Sequence, residues 1–152
     1  MKKITIFKKA ITALAIDSAD LPEIIKAGDV KVTIDEINTF LAMDDATENI
    51  DDKYLAGFLN GYIVHRRGPS DKPQVAEFDV KHRRSIGNIV LKKLKIALSF
   101  TTEDMLDVFL EGNMELTKGE LSPYFRKEGH KHYKYCTDEM LEAFFLGLRT
   151  CL

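Results

Sequence analysis

Residues 101–126, TTEDMLDVFLEGNMELTKGELSPYFR, contain two helical patterns in succession. Thr101 opens the first pattern, which closes at Gly112, and Thr117 opens the second, with Glu120 three residues after it. A threonine followed three residues later by an acid is typical of a helix N-terminus, and a glycine is typical of a helix end. The stretch therefore predicts one helix over 102–111 and another over 118–127.

The same plan occurs 84 residues earlier in the chain, where Asp17 stands in the place of Thr101. Identical residues recur at this shift, and again after a two-residue insertion. The first set is Lys8, Lys9, Ala13, Leu14, Asp20, Gly28, Thr33 and Glu36, which recur as Lys92, Lys93, Ala97, Leu98, Asp104, Gly112, Thr117 and Glu120. The second set is Asp52, Leu55, Phe58 and Gly61, which recur as Asp138, Leu141, Phe144 and Gly147. Because helix caps, helix stops and core positions match together, we predict an all-α fold of two tandem four-helix repeats related by pseudo-twofold symmetry.

The first repeat carries its own start and stop signals. Thr33 and Glu36 have capping-box spacing before a helix that should end near Ala42. Asp17 or Asp20 is expected to cap the next helix. Pro22 favours the later start because proline fits the first turn, and Asp20 with Glu23 then resembles a variant of the capping box. Gly28 is expected to end this helix in the left-handed conformation.

Apolar residues at helical spacing predict the remaining helices over 4–14, 52–63, 89–98 and the stretch after Thr137. Pro123 should kink the helix 118–127 or restart it at Ser122. We expect repeats at 1–67 and 86–152 that share one core, joined by a basic linker at 68–85 with Gly68, Pro69 and Pro73. Val75 and Phe78 are expected to pin this linker onto a repeat.

Several stretches resemble a known family. They are KKLKIAL at 92–98, FRKEGH at 125–130 with Tyr133 and Cys136 after it, and IVHRRG at 63–68. These residues are similar to the bacterial YehS family, a tandem of a domain of unknown function. The resemblance spans nearly the whole chain. It implies a small helical cytosolic protein in two repeats, with no established activity and therefore no catalytic residues to carry over.

Composition argues against several classes of protein. The net charge of −2 argues against a dedicated nucleic-acid binder, and no run approaches the ~20 apolar residues of a membrane span. Lys8 and Lys9 interrupt the apolar N-terminus, so we interpret it as a core helix and not as a targeting peptide. Cys136 and Cys151 lie at opposite ends of one predicted helix, too far apart for a disulfide, which favours a cytoplasmic protein.

The stretch that follows the third helix is basic in the second repeat and acidic in the first. We therefore predict a candidate binding surface of basic and aromatic residues from residues 126–135 and the linker region. It consists of Arg66, Arg67, Arg83, Arg84, Arg126, Lys127, His130, Lys131, Tyr133 and Lys134. The acidic counterpart is Asp44, Asp45, Glu48, Asp51 and Asp52. Opposite charges at equivalent positions could meet within the chain or between copies.

Other chemistry is weakly supported. His130, His132 and Cys136 offer three atoms that zinc can use, but a fourth ligand would have to come from His82, His65 or an acid, and no CxxC pair exists. The structural alternative is that His130 caps a backbone carbonyl and Tyr133 packs. No nucleophile–base set or phosphate-binding glycine loop occurs. Gly57, Gly61 and Gly147 are better explained by close helix contact.

The sequence favours a non-enzymatic helical interaction module that self-associates or binds a protein partner, with no cofactor, no catalytic or metal residue and no membrane contact. The alternative is a helix-turn-helix-like nucleic-acid-binding protein that uses residues 126–135 and the basic linker. Residues 113–115 lengthen the turn of that motif. An enzyme is the third possibility.

Overall fold

The computed structural model describes residues 1–69 and 84–152. The chain divides into two compact units, Met1–Asp79 and Val80–Leu152. The described residues of each unit contain four α-helices and no β-strand, which confirms the predicted all-α fold. The expected contacts of Val75 and Phe78 lie outside the described residues.

Unit 1 consists of α1 (Lys3–Ala13), α2 (Leu21–Ala27), α3 (Ile34–Ala42) and α4 (Asp52–Arg67), with a 3-10 turn at Ser18–Asp20 before α2. Phe7 of α1 lies at its centre. The Phe7 ring meets the Phe58 ring edge-on at 5.5 Å and the Phe40 ring at 6.3 Å. The apolar faces of α1, α3 and α4 meet at these rings, and Leu21, Ile24 and Ile25 of α2 are buried in the same unit.

Unit 2 consists of α5 (Ile86–Ala97), α6 (Thr102–Glu111), α7 (Lys118–Leu121) and α8 (Asp138–Cys151). Phe109 and Phe144 are fully buried, and their rings lie 5.5 Å apart. Between α7 and α8 the chain passes through a 3-10 turn, Ser122–Phe125, and then the non-helical residues 126–137.

Three threonines form the capping boxes that their spacing indicates. Thr33, Thr101 and Thr117 each accept a hydrogen bond from the third residue of the helix, and that residue's carboxylate accepts from the threonine N–H. Thr137 caps α8 by accepting from the Met140 N–H at 3.2 Å. Asp20 does not behave as predicted, because its side chain makes no cap bond. Asp17 accepts from the Ala19 N–H instead and so opens the 3-10 turn.

Two helices differ in extent from the predictions. α5 begins at Ile86, three residues before the predicted start, because Gly87 and Asn88 are buried as part of its inward face. α7 ends at Leu121 and continues only as the 3-10 turn Ser122–Phe125. Pro123 is responsible, since proline lacks the N–H that an α-helix needs at this point.

Glycines bring two helices of each unit into backbone contact. A Cβ on Gly61 of α4 would lie 1.7 Å from the Ile24 carbonyl oxygen, and one on Gly147 of α8 would lie 1.8 Å from the Val108 carbonyl oxygen. Real Cβ atoms do not approach so closely. The α2–α4 and α6–α8 crossings are thus the same crossing in both repeats, and they confirm the predicted role of these glycines.

Gly28 and Gly112 are also required by close approach and not by a left-handed conformation. Gly28 has φ −93°, and its Cβ would meet the Gly57 carbonyl oxygen at 2.0 Å. The left-handed residue is the next one, Asp29, at φ 64°. The predicted left-handed Gly28 was therefore wrong by one residue.

Four helices end on a left-handed residue that is not glycine. After α2 the Asp29 N–H donates to the Lys26 carbonyl and the Val30 N–H to the Ile25 carbonyl, which is the Schellman pattern. The same pattern follows α1, α5 and α6. The four left-handed residues are Ala15, Asp29, Ser99 and Asn113, so the repeat extends to the backbone conformation of the helix ends.

No helix in the described parts of the chain combines the length and the apolar character needed to cross a bilayer.

Candidate binding surface

The basic segment, residues 126–135, is held in place by one buried amide. Asn88 of α5 is 6% exposed. Its Nδ2 donates to the carbonyls of Tyr124 (3.0 Å) and Lys134 (2.8 Å), and its Oδ1 accepts from the Cys136 N–H (2.8 Å). The Lys134 N–H donates to the Pro123 carbonyl at 3.2 Å. Both ends of the segment are therefore fixed to the same helix.

Aromatic rings fix the rest of the segment. The rings of Tyr133 and Tyr135 meet edge-on at 5.1 Å, and the Arg84 guanidinium lies 4.3 Å from the centre of the Tyr135 ring. Burial, with a smaller contribution from Glu128, raises the pKa of Tyr133 to about 12, while a hydrogen bond with Ser85 opposes this rise. Tyr133 therefore packs, as the structural alternative predicted, and it stays protonated at neutral pH.

The cationic side chains of the segment are open to solvent. Arg126, Lys127, Lys131 and Lys134 are all exposed. Three lysines elsewhere in the described residues form ion pairs with carboxylates: Lys3 with Asp52, Lys8 with Asp45, and Lys118 with Glu103. A hollow of about 510 Å³ lies beside these charges, lined by Gly119, Ser122, Pro123, Arg126, Lys131, His132, Tyr133 and Lys134.

A second concavity, the cationic groove, lies next to this hollow and has a volume of about 350 Å³. Ser122 and Arg126 line both of them. Lys92, Lys95 and Arg126 contribute positive charge to the groove, and Ile96, Leu121 and Phe125 contribute apolar surface. Lys92 and Lys95 were not among the predicted site residues. Both belong to a run of three lysines within four residues, and this run was the sequence signal that could have identified them.

The predicted candidate surface takes residues from both units. Arg84 joins the basic segment through Tyr135. Arg66 and Arg67 end α4 in unit 1, where both are exposed, and Arg83 lies outside the described residues. Within unit 2, Arg126, Lys127, His130, Lys131, Tyr133 and Lys134 lie on one loop, and Arg84 lies beside Tyr135 of that loop.

The histidines of the segment do not form a metal site within the described residues, where no group of three His, Cys, Asp or Glu side chains is arranged for one. His130 Nδ1 accepts a hydrogen bond from the His132 N–H at 3.1 Å. The prediction that the His130 ring donates to a backbone carbonyl was therefore wrong, because this ring nitrogen is an acceptor. Burial raises the pKa of the Cys136 thiol to about 12, which disfavours the thiolate that zinc binds. His82 lies outside the described residues.

The resemblance to a helix-turn-helix is limited to the residues that begin the second helix, α7. A recognition helix must present several side chains along a groove of DNA. α7 has four residues before Pro123 forces the 3-10 turn, which is too short for that purpose.

The acidic loop of unit 1, residues 43–50, is folded onto α1. The Lys8 ammonium pairs with the Asp45 carboxylate at 2.7 Å and also donates to the Met43 carbonyl. The hydrogen bond with Lys8 holds the pKa of Asp45 below its usual value, and the Lys2 ammonium donates to the Ala46 carbonyl at 3.2 Å. Part of the predicted partner of the basic segment is thus occupied within unit 1.

Comparison with known proteins agrees with the two-repeat architecture. The model of a family described as "Protein of unknown function (DUF1456)" matches residues 5–68 and again residues 87–151. The chain belongs to the DUF1456 family. The "Uncharacterized protein YehS" of Escherichia coli (strain K12) is 34% identical over 137 residues, which cover 89% of this chain and 86% of that protein. No solved structure matches the chain. DUF1456 carries no assigned activity, so the surface has to be interpreted from its own chemistry.

Proposed function

We propose that the protein is a non-enzymatic binding module whose basic segment recognises an acidic surface of a partner protein or of a second copy. The observation that supports this most directly is the Asn88 network, in which one buried amide makes hydrogen bonds to the main chain of Lys134 within the segment and of Tyr124 and Cys136 on either side of it. A loop that is already ordered loses less conformational entropy when it binds.

The exposed charges favour protein recognition. Arg126, Lys127, Lys131 and Lys134 present positive charge around a hollow of about 510 Å³. Positive patches attract acidic surfaces and raise the rate of encounter. The exposed edge of Tyr135, which is 37% accessible, adds an aromatic contact of the kind enriched at protein interfaces.

The titratable groups of this surface favour binding over catalysis. Cys136 and Tyr133 both have a pKa of about 12, raised mainly by burial. At neutral pH a thiol with that pKa is almost entirely protonated, and the thiol is a poor nucleophile compared with the thiolate.

The test compares two polyanions at two salt concentrations. We expect labelled poly-glutamate to bind the protein at low salt, and the double variant Lys131→Ala/Lys134→Ala to weaken that binding. The matched control is Lys26→Ala/Lys31→Ala, which removes two exposed lysines from unit 1 and should leave affinity unchanged. Sedimentation of the same variants shows whether the segment joins two copies.

Labelled mixed-sequence DNA distinguishes the nucleic-acid alternative. Each phosphate contact releases counterions, so tight DNA binding with a steep salt dependence that the Lys131→Ala/Lys134→Ala variant flattens would overturn the protein-binding proposal. Failure of poly-glutamate to bind at low salt would overturn it as well.

A further inference from the structure

The two repeats treat one equivalent lysine in different ways. Lys8 of α1 and Lys92 of α5 are 84 residues apart and occupy the same place in the repeat. Lys8 pairs with the Asp45 carboxylate at 2.7 Å and donates to the Met43 carbonyl. The acidic loop of unit 1 thus lies against the helix face that bears this lysine.

In unit 2 the corresponding face has no acidic loop. Residues 127–129 stand where residues 43–45 stand in unit 1, and they read Lys-Glu-Gly. The Asn88 bonds to Tyr124, Lys134 and Cys136 determine the path of the chain here. Lys92 is exposed and lines the cationic groove together with Arg126. Within the described residues, no carboxylate pairs with either side chain.

The groove also has an apolar floor, on which a side chain like that of Met43 in unit 1 could pack. Met43 is half-buried in unit 1, next to its bonded carbonyl. In unit 2, Ile96 and Phe125 are half-buried and line the groove with Leu121, which is 1% exposed. A short segment with one apolar residue followed by acids would cover this apolar surface and neutralise the charges.

We propose that the cationic groove binds a segment of another protein in which an apolar residue precedes two acids, as Met43-Asp44-Asp45 do in unit 1. The Lys92 ammonium would donate to a main-chain carbonyl of the bound segment and pair with the carboxylate of one acid. The Arg126 guanidinium would pair with the carboxylate of the other acid. This inference rests on the proposed function and assigns the contact to the groove, beside the segment. A second copy is the less suitable occupant, because its own Asp45 is paired with Lys8.

The test uses a labelled synthetic peptide with the sequence of residues 40–49, FLAMDDATEN, added to the full chain. Binding is followed by fluorescence anisotropy, and NMR locates the perturbed amides. Hydrogen bonds between charged groups are stronger than neutral ones, so we expect Lys92→Glu to weaken binding about tenfold or more. The matched control is Lys31→Glu, which makes the same charge change at an exposed residue of unit 1 and should change affinity by about twofold at most.

The outcomes separate the two proposals. Loss of binding for a peptide with Asp44→Asn and Asp45→Asn, and perturbed amides at Lys92, Ile96 and Arg126, would support the groove. Equal loss with Lys92→Glu and Lys127→Glu would overturn the groove and leave the basic segment as the binding surface. If the peptide does not bind while poly-glutamate does, this inference fails and the proposed function stands.

Discussion

Asn88 connects the core of unit 2 to its exposed surface. A primary amide has two donor hydrogens and an acceptor oxygen, and at Asn88 all of these are used toward the main chain of one loop. An apolar residue at this site would leave three partly buried main-chain groups without these partners. The fold therefore depends on a single polar side chain at an otherwise apolar position of the helix.

We expect Asn88→Ala to lower the free energy of unfolding by about 2–3 kcal/mol, because several buried polar groups lose their partners. Urea unfolding followed by circular dichroism measures this change. The companion variant Asn88→Asp keeps the acceptor and loses both donors, so it should also be destabilised. An unchanged unfolding midpoint in Asn88→Ala would contradict the network.

The residues in left-handed conformation at the helix ends offer a way to raise the free energy of unfolding by substitution. Ala15 has φ 53°, where a Cβ is disfavoured, and asparagine at Asn113 (φ 67°) tolerates this conformation better. We expect Ala15→Gly to raise the free energy of unfolding by about 0.5–1 kcal/mol and Asn113→Gly to raise it by less. Ala13→Gly, inside α1, is the control and should lower it by about 1 kcal/mol. The idea fails if Ala15→Gly destabilises as much as Ala13→Gly does.

At the scale of elements, the helix crossings depend on backbone contact. Gly61→Ala would place a Cβ 1.7 Å from the Ile24 carbonyl oxygen. We expect it to lower the free energy of unfolding by about 3 kcal/mol or more, as severe overpacking does. Gly147→Ala should have a similar effect in unit 2, since its Cβ would lie 1.8 Å from the Val108 carbonyl oxygen.

Gly119 supplies the control for the crossing glycines. It lies in α7, and the nearest heavy atom to its Cβ position is the Thr117 hydroxyl at 3.9 Å. Gly119→Ala should leave stability unchanged or raise it by up to about 1 kcal/mol, because alanine favours helix. Thermal melts of the three alanine variants would contradict this account if Gly119→Ala proved as damaging as Gly61→Ala.

Local signals predicted most of the elements, because caps and apolar spacing act within one turn of helix. The threonine caps and the shortening at Pro123 follow from such signals. A left-handed conformation was the wrong explanation for Gly28. The glycine is required because the backbone of Gly57, on a helix far along the chain, lies against it. The cationic groove depends on how α5 and the 3-10 turn pack, so sequence spacing could not bring Lys92 and Arg126 together. The sequence does show that Asn88 is a polar residue on the apolar face of a helix. Only the structure shows that its amide bonds to the main chain around the basic segment.

At the scale of the whole molecule, the shared core remains a prediction from chain length. Four short helices bury little apolar surface by themselves. We therefore expect residues 1–67 expressed alone to melt at a lower temperature than the full chain, or without cooperativity. Circular dichroism melts of residues 1–67, residues 86–152 and the full chain make the comparison. A cooperative melt of the first fragment at the full-chain temperature would count against a shared core.

The bonds of Asn88 end on main-chain atoms alone, and main-chain atoms are the same whichever amino acid is present. The side chains of Arg126, Lys127 and Lys131 can therefore be exchanged without disturbing these three bonds. In unit 1 the acidic loop is secured partly through the side chain of Asp45, so a change there also weakens the fold. Among natural variants, the loop of unit 2 should tolerate more substitutions than the loop of unit 1. One repeat of this chain can therefore acquire new specificity while the other preserves its architecture.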